Sequence, residues 1–275
     1  MNNMLKVREI VARGYVNPSK LPGFDYVINP YVGCPHRCMY CYAEFMKRFS
    51  NHDEPWGTFT DVKIRSTSVK PVDLRGKNVF LSSVTDCYNP LEEKYRLTRR
   101  LLEQLRPCGA KITILTKSAL VLRDLDILKT LPEVTVGVSA NTTDDSLRRD
   151  IEPEACSAQE RLRVLKTLRE NGIKNWMHVA PVFPYLSDWK ALLEAAADFT
   201  DSFSFENLKL RGAALPRVML FITQKHPQLK PMYEQIYQKN DLSYWRALRK
   251  EILSFCNQRQ LAASVLFSEN GPQEI

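Results

Sequence analysis

Cys34, Cys38 and Cys41 fall in one short run, Cys34-Pro-His-Arg-Cys38-Met-Tyr-Cys41, with the spacing C-x3-C-x2-C. Three thiolates on one tight loop fall short of the four protein ligands that a structural tetrahedral zinc normally takes. They suit a four-iron cluster better. Such a cubane usually takes four cysteines, and three would leave its fourth iron open to a small molecule. Tyr40, just before the last cysteine, offers a ring against which a nucleoside at that iron would pack. Two other readings stay open on these residues alone: a zinc loop that borrows a distant fourth ligand, and three unrelated buried cysteines. His36 lies inside the loop, but its spacing fits no common zinc pattern.

Such a loop needs a frame to hold it. Short apolar runs alternate with helical patterns along most of the 275 residues. The patterns predict strands over Tyr26–Val32, Asn78–Val84, Lys111–Leu115, Val134–Ser139, Asn175–Val182 and Ser202–Lys209. Between them, helices are predicted over Tyr42–Phe49, Leu91–Leu105, Ser118–Lys129, Ser157–Asn171 and Asp188–Phe199. Leu97, Leu101, Leu102 and Leu105 recur at helical spacing, and Gly172 fits a C-terminal cap. Strand and helix in alternation imply a parallel sheet with right-handed crossovers. In parallel barrels chemistry gathers on the loops at the carboxyl ends of strands, and the cysteine loop follows the first strand. Residues 1–24 read as a lead-in, 25–212 as the α/β core, and 213–275 as a helical extension packed on that core. Within the extension, Tyr233, Ile236, Tyr237, Trp245, Leu248 and Ile252 form an apolar face, followed by a strand-like run at Ala263–Phe267.

Composition narrows the class. A hydrophobic content of 44% supports a sizeable core in a chain of this length. Seven unevenly spread cysteines do not suggest a disulfide framework. Neither a secretory signal nor an apolar stretch long enough to cross a bilayer is visible, so the expectation is a cytoplasmic protein with no membrane partner. Lys and Arg number 39 against 31 Asp and Glu, a net +8, and such a surplus can recruit nucleic acid. Its concentrations at Arg96, Arg99 and Arg100, at Arg148 and Arg149, and at Arg161, Arg163, Lys166 and Arg169 fall on helices and read as solvated outer faces. No stripe of alternating aromatics and arginines marks a single-strand binding surface.

The run C-x3-C-x-Tyr-C resembles the motif of the radical S-adenosylmethionine (SAM) superfamily, matched here at every defining position. Three further segments resemble the spore photoproduct lyase-like branch, also labelled DNA repair photolyase-like. They are Asn29-Pro-Tyr-Val-Gly33, Thr85-Asp-Cys-Tyr-Asn-Pro-Leu-Glu92 and Ala180-Pro-Val-Phe-Pro184. The N-terminal stretch, Phe45–Phe49 and Glu54–Phe59 are similar to a narrower group encoded as radical SAM mobile pairs. The resemblance implies a partial (β/α)6 TIM-like barrel with a helical C-terminal extension. It also implies a 4Fe-4S cluster on Cys34, Cys38 and Cys41, with SAM chelating the open iron.

In that resemblance Thr85 and Asp86 receive the SAM ammonium, Lys117 pairs with its carboxylate, Ser139 contacts the methionine or ribose part, and Tyr40 packs on the nucleoside. An electron from a flavodoxin- or ferredoxin-like donor then cleaves the sulfonium, and the resulting 5′-deoxyadenosyl radical takes a hydrogen from the substrate. One departure matters. The lyase carries a hydrogen-donating cysteine a few residues before the strand-two aspartate, whereas Ser83 stands there in this chain. This argues against photoproduct reversal itself. Cys87 is the candidate to take over as donor, and Tyr42 and Tyr88 are candidates to relay a radical. The leading expectation is action on nucleic acid or a nucleotide. The alternatives are a peptide or protein supplied by a paired gene product, and a cluster-bearing redox or binding module without turnover.

Overall fold

The computed structural model describes residues 5–12, 14–64 and 73–268. In chain order the elements are β1 (Lys6–Val11), β2 (Val16–Pro18), β3 (Tyr26–Ile28), β4 (Tyr31–Val32), a 3-10 segment (Tyr42–Phe49), β5 (Phe59–Ile64), β6 (Asn78–Leu81), α1 (Leu91–Tyr95), α2 (Leu97–Leu105) and β7 (Lys111–Thr116). There follow α3 (Leu125–Leu128), β8 (Glu133–Ala140), α4 (Asp145–Ile151), α5 (Ala158–Glu170), β9 (Lys174–Val182), α6 (Trp189–Ala196), β10 (Ser202–Asn207), α7 (Ala214–Lys225), α8 (Lys230–Tyr237), α9 (Ser243–Gln258) and β11 (Ala263–Val265).

The main sheet runs β2-β3-β6-β7-β8-β9-β10-β11. From β3 to β11 every pairing is parallel, and β2 joins β3 antiparallel at one edge. The fold is therefore the α/β partial barrel expected, with β11 as a seventh parallel strand beyond the six core ones. Alternation along the strands explains its layers. Val136 and Val138 of β8, Met177 and Val179 of β9, and Phe203 and Phe205 of β10 are buried in one core with Val164, Leu165 and Leu168 of α5 and Leu192 and Leu193 of α6. The residues between them in sequence face the other, concave side. Ser157 and Glu160 close a capping box at the start of α5, and Gly172 follows its end at φ 70°.

Three departures from the sequence reading have local causes. The strand expected over Tyr26–Val32 breaks after Ile28, because Asn29 turns to bond Ser83 Oγ (3.2 Å) and the Val84 N–H (3.1 Å). Tyr31–Val32 then crosses into a separate small sheet, β1-β5-β4. The helix expected over Leu91–Leu105 splits at Arg96, which adopts a left-handed conformation (φ 50°). The cause is Glu92, whose buried carboxylate accepts the backbone N–H groups of Thr98 (3.0 Å) and Arg99 (3.3 Å) and so caps α2 from within the previous turn. The same carboxylate accepts Tyr31 Oη (2.5 Å) and Arg123 Nη2 (2.8 Å), tying the small sheet to the barrel. Finally, Arg148 and Arg161 do not lie on solvated faces: both are buried, each bonded to carbonyls and to a carboxylate.

In the predicted lead-in, β1 pairs parallel with β5, and Arg8 grips Asp61 through two bonds of 2.9 and 2.8 Å. In the predicted extension, α9 packs on β11, and Arg249 Nη1 donates to the Val265 carbonyl. Residues 1–4, 13 and 269–275 of these two segments lie outside the described residues. Among the described residues no helix is long and apolar enough to cross a membrane.

Candidate functional site

The cysteine loop begins at Gly33, whose φ of 86° favours glycine and whose missing Cβ is needed: a Cβ there would sit 2.4 Å from the Phe59 carbonyl oxygen. Its backbone is tied down on every side. Thr85 Oγ1 donates to the Gly33 carbonyl (2.8 Å), the Met39 N–H to the Ile151 carbonyl (3.0 Å), and the Glu154 N–H to the His36 carbonyl (3.3 Å). Arg217 of α7 donates Nε to the Met39 carbonyl (2.7 Å) and Nη2 to Glu44 (2.8 Å). The loop is thus held by β5, by the end of β6, by the α4–α5 connection and by α7.

Cys34, Cys38 and Cys41 are free thiols; Cys34 feels the charge of Cys41, and Cys38 feels both of the others. Burial pushes all three thiols up, Cys34 to about 12 with Asp86 and Cys41 adding to the effect. Thiols so placed hold their thiolate form only against a strongly cationic partner, which an iron–sulfur core supplies. Among the described residues no three His, Cys, Asp or Glu side chains gather as a single-ion site requires. A cubane makes a different demand, since each thiolate holds a separate iron. The donor set and the loop fit that group.

Around the loop, consecutive strand ends converge. Asp86, beyond β6, accepts Thr116 Oγ1 (2.8 Å) and the Tyr88 N–H (2.9 Å) on one oxygen and the Lys117 N–H (2.8 Å) on the other, with His36 Nδ1 3.4 Å from that second oxygen. Its carboxylate therefore fastens the cysteine loop to the ends of β6 and β7 and offers charge more than a free oxygen. Lys117 Nζ makes no ion pair among the described residues; it lies 6.0 Å above the Tyr40 ring. Burial works against its ammonium, but Glu152 and Cys38 outweigh burial and the lysine is held above its ordinary value.

Ser139 is buried at the end of β8, with Oγ donating to the Ala180 carbonyl (3.0 Å). Tyr40 packs edge-on against Phe183 (5.6 Å) and donates its hydroxyl to Glu152. Glu152 is the hub that sequence reasoning missed. It also accepts Asn141 Nδ2 (3.2 Å) and Arg161 Nη2 (2.6 Å), while Arg161 Nη1 donates to the Ser139 carbonyl (2.9 Å). Asn141 Oδ1, one residue beyond β8, is buried without a partner among the described residues. A glutamate followed by a proline carries no sequence signal of this role; only packing brings it to Tyr40.

The other candidates separate. Cys87 and Tyr88 are fully buried beside the strand end, with Thr98 of α2 bonding the Cys87 carbonyl (2.6 Å). Tyr42 lies at the rim, 60% exposed, its hydroxyl donating to the Ser83 carbonyl. His178 shares its register with Ser139 and Ser204 and so points to the concave face, where Nδ1 meets Ser204 Oγ at 2.8 Å. Glu206 stands 3.7 Å from its Nε2 and pairs with Lys209 at 2.7 Å.

A family model for the radical SAM superfamily matches residues 28–196, from the end of β3 to the end of α6. The chain belongs to the radical SAM superfamily. Among curated relatives, an uncharacterised protein of Methanocaldococcus jannaschii is 38% identical over 229 residues, covering 83% of this chain and 86% of its own. A second, from Mycobacterium bovis, is 30% identical over 266 residues, covering 90% and 77%. A radical SAM Nα-GlyT isomerase of Pseudomonas phage M6 is 30% identical over 105 residues, 38% of this chain and 22% of that one. Of solved structures, a mutant of spore photoproduct lyase with dinucleoside spore photoproduct superposes with a TM-score of 0.58 at 18% identity, over 81% of this chain. Streptococcus suis SuiB bound to S-adenosylmethionine gives 0.57 at 18%, over 88%. The chain spans 66% of the lyase and 49% of SuiB, and these two likenesses establish the fold.

Proposed function

We propose that the chain holds a 4Fe-4S cluster on Cys34, Cys38 and Cys41, binds SAM beside it, and abstracts a hydrogen from nucleic acid or a nucleotide. The observation that carries this reading is the juxtaposition, at neighbouring strand ends, of three half-buried thiols with a Lys117 ammonium and an Asn141 oxygen that have no ion-pair or hydrogen-bond partner among the described residues. When bound, the cluster and SAM supply one-electron cleavage of a sulfonium C–S bond and hydrogen abstraction by the 5′-deoxyadenosyl radical, given an electron from a flavodoxin- or ferredoxin-like donor.

The chain's own residues bind and orient. Lys117 meets the SAM carboxylate, and the Thr85 hydroxyl, its proton committed to the Gly33 carbonyl, turns lone pairs to the ammonium under the field of Asp86. Tyr40, steadied by Glu152 and Phe183, walls the nucleoside. Asn141 Oδ1 accepts a ribose or adenine donor, while Ser139, already bonded to the Ala180 carbonyl, shapes the floor. Tyr42 guards the rim; Cys87 and Tyr88, sealed in the core, support the strand end. The nucleic-acid reading is supported by the net +8 charge and by the phage isomerase and dinucleoside-bound lyase among the similar proteins.

Anaerobic reconstitution with dithionite and SAM tests the reading. Release of 5′-deoxyadenosine that disappears in Cys38→Ala is the expected result, with deuterium passing into it from a labelled nucleotide substrate. A fully reduced cluster that leaves SAM intact refutes it.

A further inference from the structure

The residues after Cys41 form a 3-10 segment with an unusual outer face. Ala43 is buried and Glu44 is clamped by Arg217, but Tyr42, Phe45 and Phe49 are 60, 42 and 68% exposed. Tyr42, Phe45 and Arg48 recur every third residue, the period of a 3-10 helix, and so share one side, with the Phe49 ring under the Arg48 guanidinium. Of the four large aromatics exposed among the described residues, three sit here; the other exposed apolar residues outside this segment, apart from Tyr185, are aliphatic and scattered along the chain. Arg48 lies over both Phe49 (4.8 Å) and Phe45 (5.5 Å), its guanidinium spread across the rings and in no ion pair among the described residues. Lys47 is anchored to the Asp53 carbonyl (2.9 Å), adding a second positive charge beside it. At its other end the stripe reaches the concave mouth, because the Tyr42 hydroxyl bonds the carbonyl of Ser83, just past β6.

Three exposed rings in eight residues lose the stabilisation that burial would give, so a surface of this kind marks a binding site. Its chemistry narrows the partner. Planar rings interleaved with a guanidinium suit nucleobases, every one of which presents a π face, together with the phosphates that join them. A redox protein delivering an electron need only approach the cluster; it has no need of a stripe that leads into the mouth where substrate enters.

We propose that Phe45, Arg48 and Phe49 form a docking platform for unpaired nucleic acid. Bases flanking the target stack on the two phenylalanines, Arg48 takes a phosphate, and the target nucleotide turns past Tyr42 onto the concave face. This rests on the nucleic-acid reading above and gives it a form: a single strand or a flipped-out nucleotide, entering from one side.

The test is fluorescence anisotropy of the reconstituted holoprotein with labelled single-stranded DNA, single-stranded RNA and the matching duplex, over a salt series with heparin as competitor. Unpaired strands are expected to bind more tightly than duplex or heparin. Phe45→Ala/Phe49→Ala weakens that binding by about tenfold or more. Phe49→Leu, which keeps the apolar bulk and loses the ring, weakens it as well, and Arg48→Gln lowers the salt slope by about one. Iron content and dithionite-driven 5′-deoxyadenosine release stay at the parent level in all variants, which certifies the fold. The proposal is overturned if the variants bind single strands like the parent, if heparin competes equally, or if the variants lose only reduction by reduced flavodoxin, which would make this a protein-docking face. A chain that cleaves SAM yet ignores nucleic acid defeats this inference alone; one that cannot cleave SAM defeats the reading beneath it.

Discussion

Glu152 carries more of the site than any residue with a motif to its name. Burial opposes its charge, but Arg161, Lys117 and the Tyr40 hydroxyl together hold its pKa below the ordinary value. Removing one partner of such a pair leaves the other buried and uncompensated, so Arg161→Met is expected to cost about 3–5 kcal/mol, read from urea unfolding of the cluster-free protein. Lys117 is a different case, because its ammonium makes no ion pair among the described residues and Glu152 keeps its bond to Arg161 without it. Lys117→Met is expected to keep iron content unchanged while weakening SAM binding by roughly tenfold to a hundredfold, the worth of one charge-assisted contact. Equilibrium dialysis of labelled SAM measures it, and unchanged affinity would remove Lys117 from the site. Neither Glu152 nor Arg161 was legible beforehand: Glu152 falls between predicted elements with no motif around it, and Arg161, charged and on a predicted helix, reads as solvated until packing shows which face it lies on.

Among the elements, two glycines separate loop from barrel. Gly33→Ala meets both a left-handed φ and the Phe59 carbonyl, so the cysteine loop must pull away from β5; iron incorporation is expected to fall while the unfolding midpoint changes little. Gly137→Ala sets a Cβ 2.2 Å from the Trp176 ring in the concave wall, and overpacking of this kind costs about 1–3 kcal/mol. A lowered urea midpoint with the normal iron stoichiometry is the expected signature there. The core strands and α5 match their sequence patterns because a sheet buried on both faces reads as short apolar runs and a well-capped helix as a 3.6 period. The break at Arg96 escaped that logic: the leucine spacing continues through it, and the side chain that ends one helix and starts the next, Glu92, acts through a carboxylate no periodicity registers.

Across the molecule, carboxylates held charged by cations link fold to pH. Burial raises Glu206, but His178 and Lys209 more than offset it, taking its pKa from 4.5 to about 2. Asp126, bonded to Arg99, likewise falls from 3.8 to about 2. Depressed folded-state values mean that both contribute stability above about pH 4.5 and lose it as pH falls toward 2. Circular dichroism of the cluster-free chain should show stability declining through that window, with a shallower slope in Glu206→Gln. An unchanged slope would show that Glu206 carries no such linkage. The basic surplus acts at this scale too, but as a field rather than a patch: the two buried arginines in the predicted surface clusters contribute to the core, and the aromatic–arginine face lies elsewhere, at 42–49.

The spacing of three cysteines, the T-D-x-Y-x-P-x-E segment and the alternation of strands with helices were enough to reach the superfamily and its barrel, because ligand spacing and hydrophobic period are local properties of a chain. Whether a side chain faces the core, the concave wall or water depends on contacts between residues far apart in sequence. That is why His178 came to meet Ser204 on the concave face, and Glu152 came to Tyr40 across more than a hundred residues, only when the chain closed around its sheet.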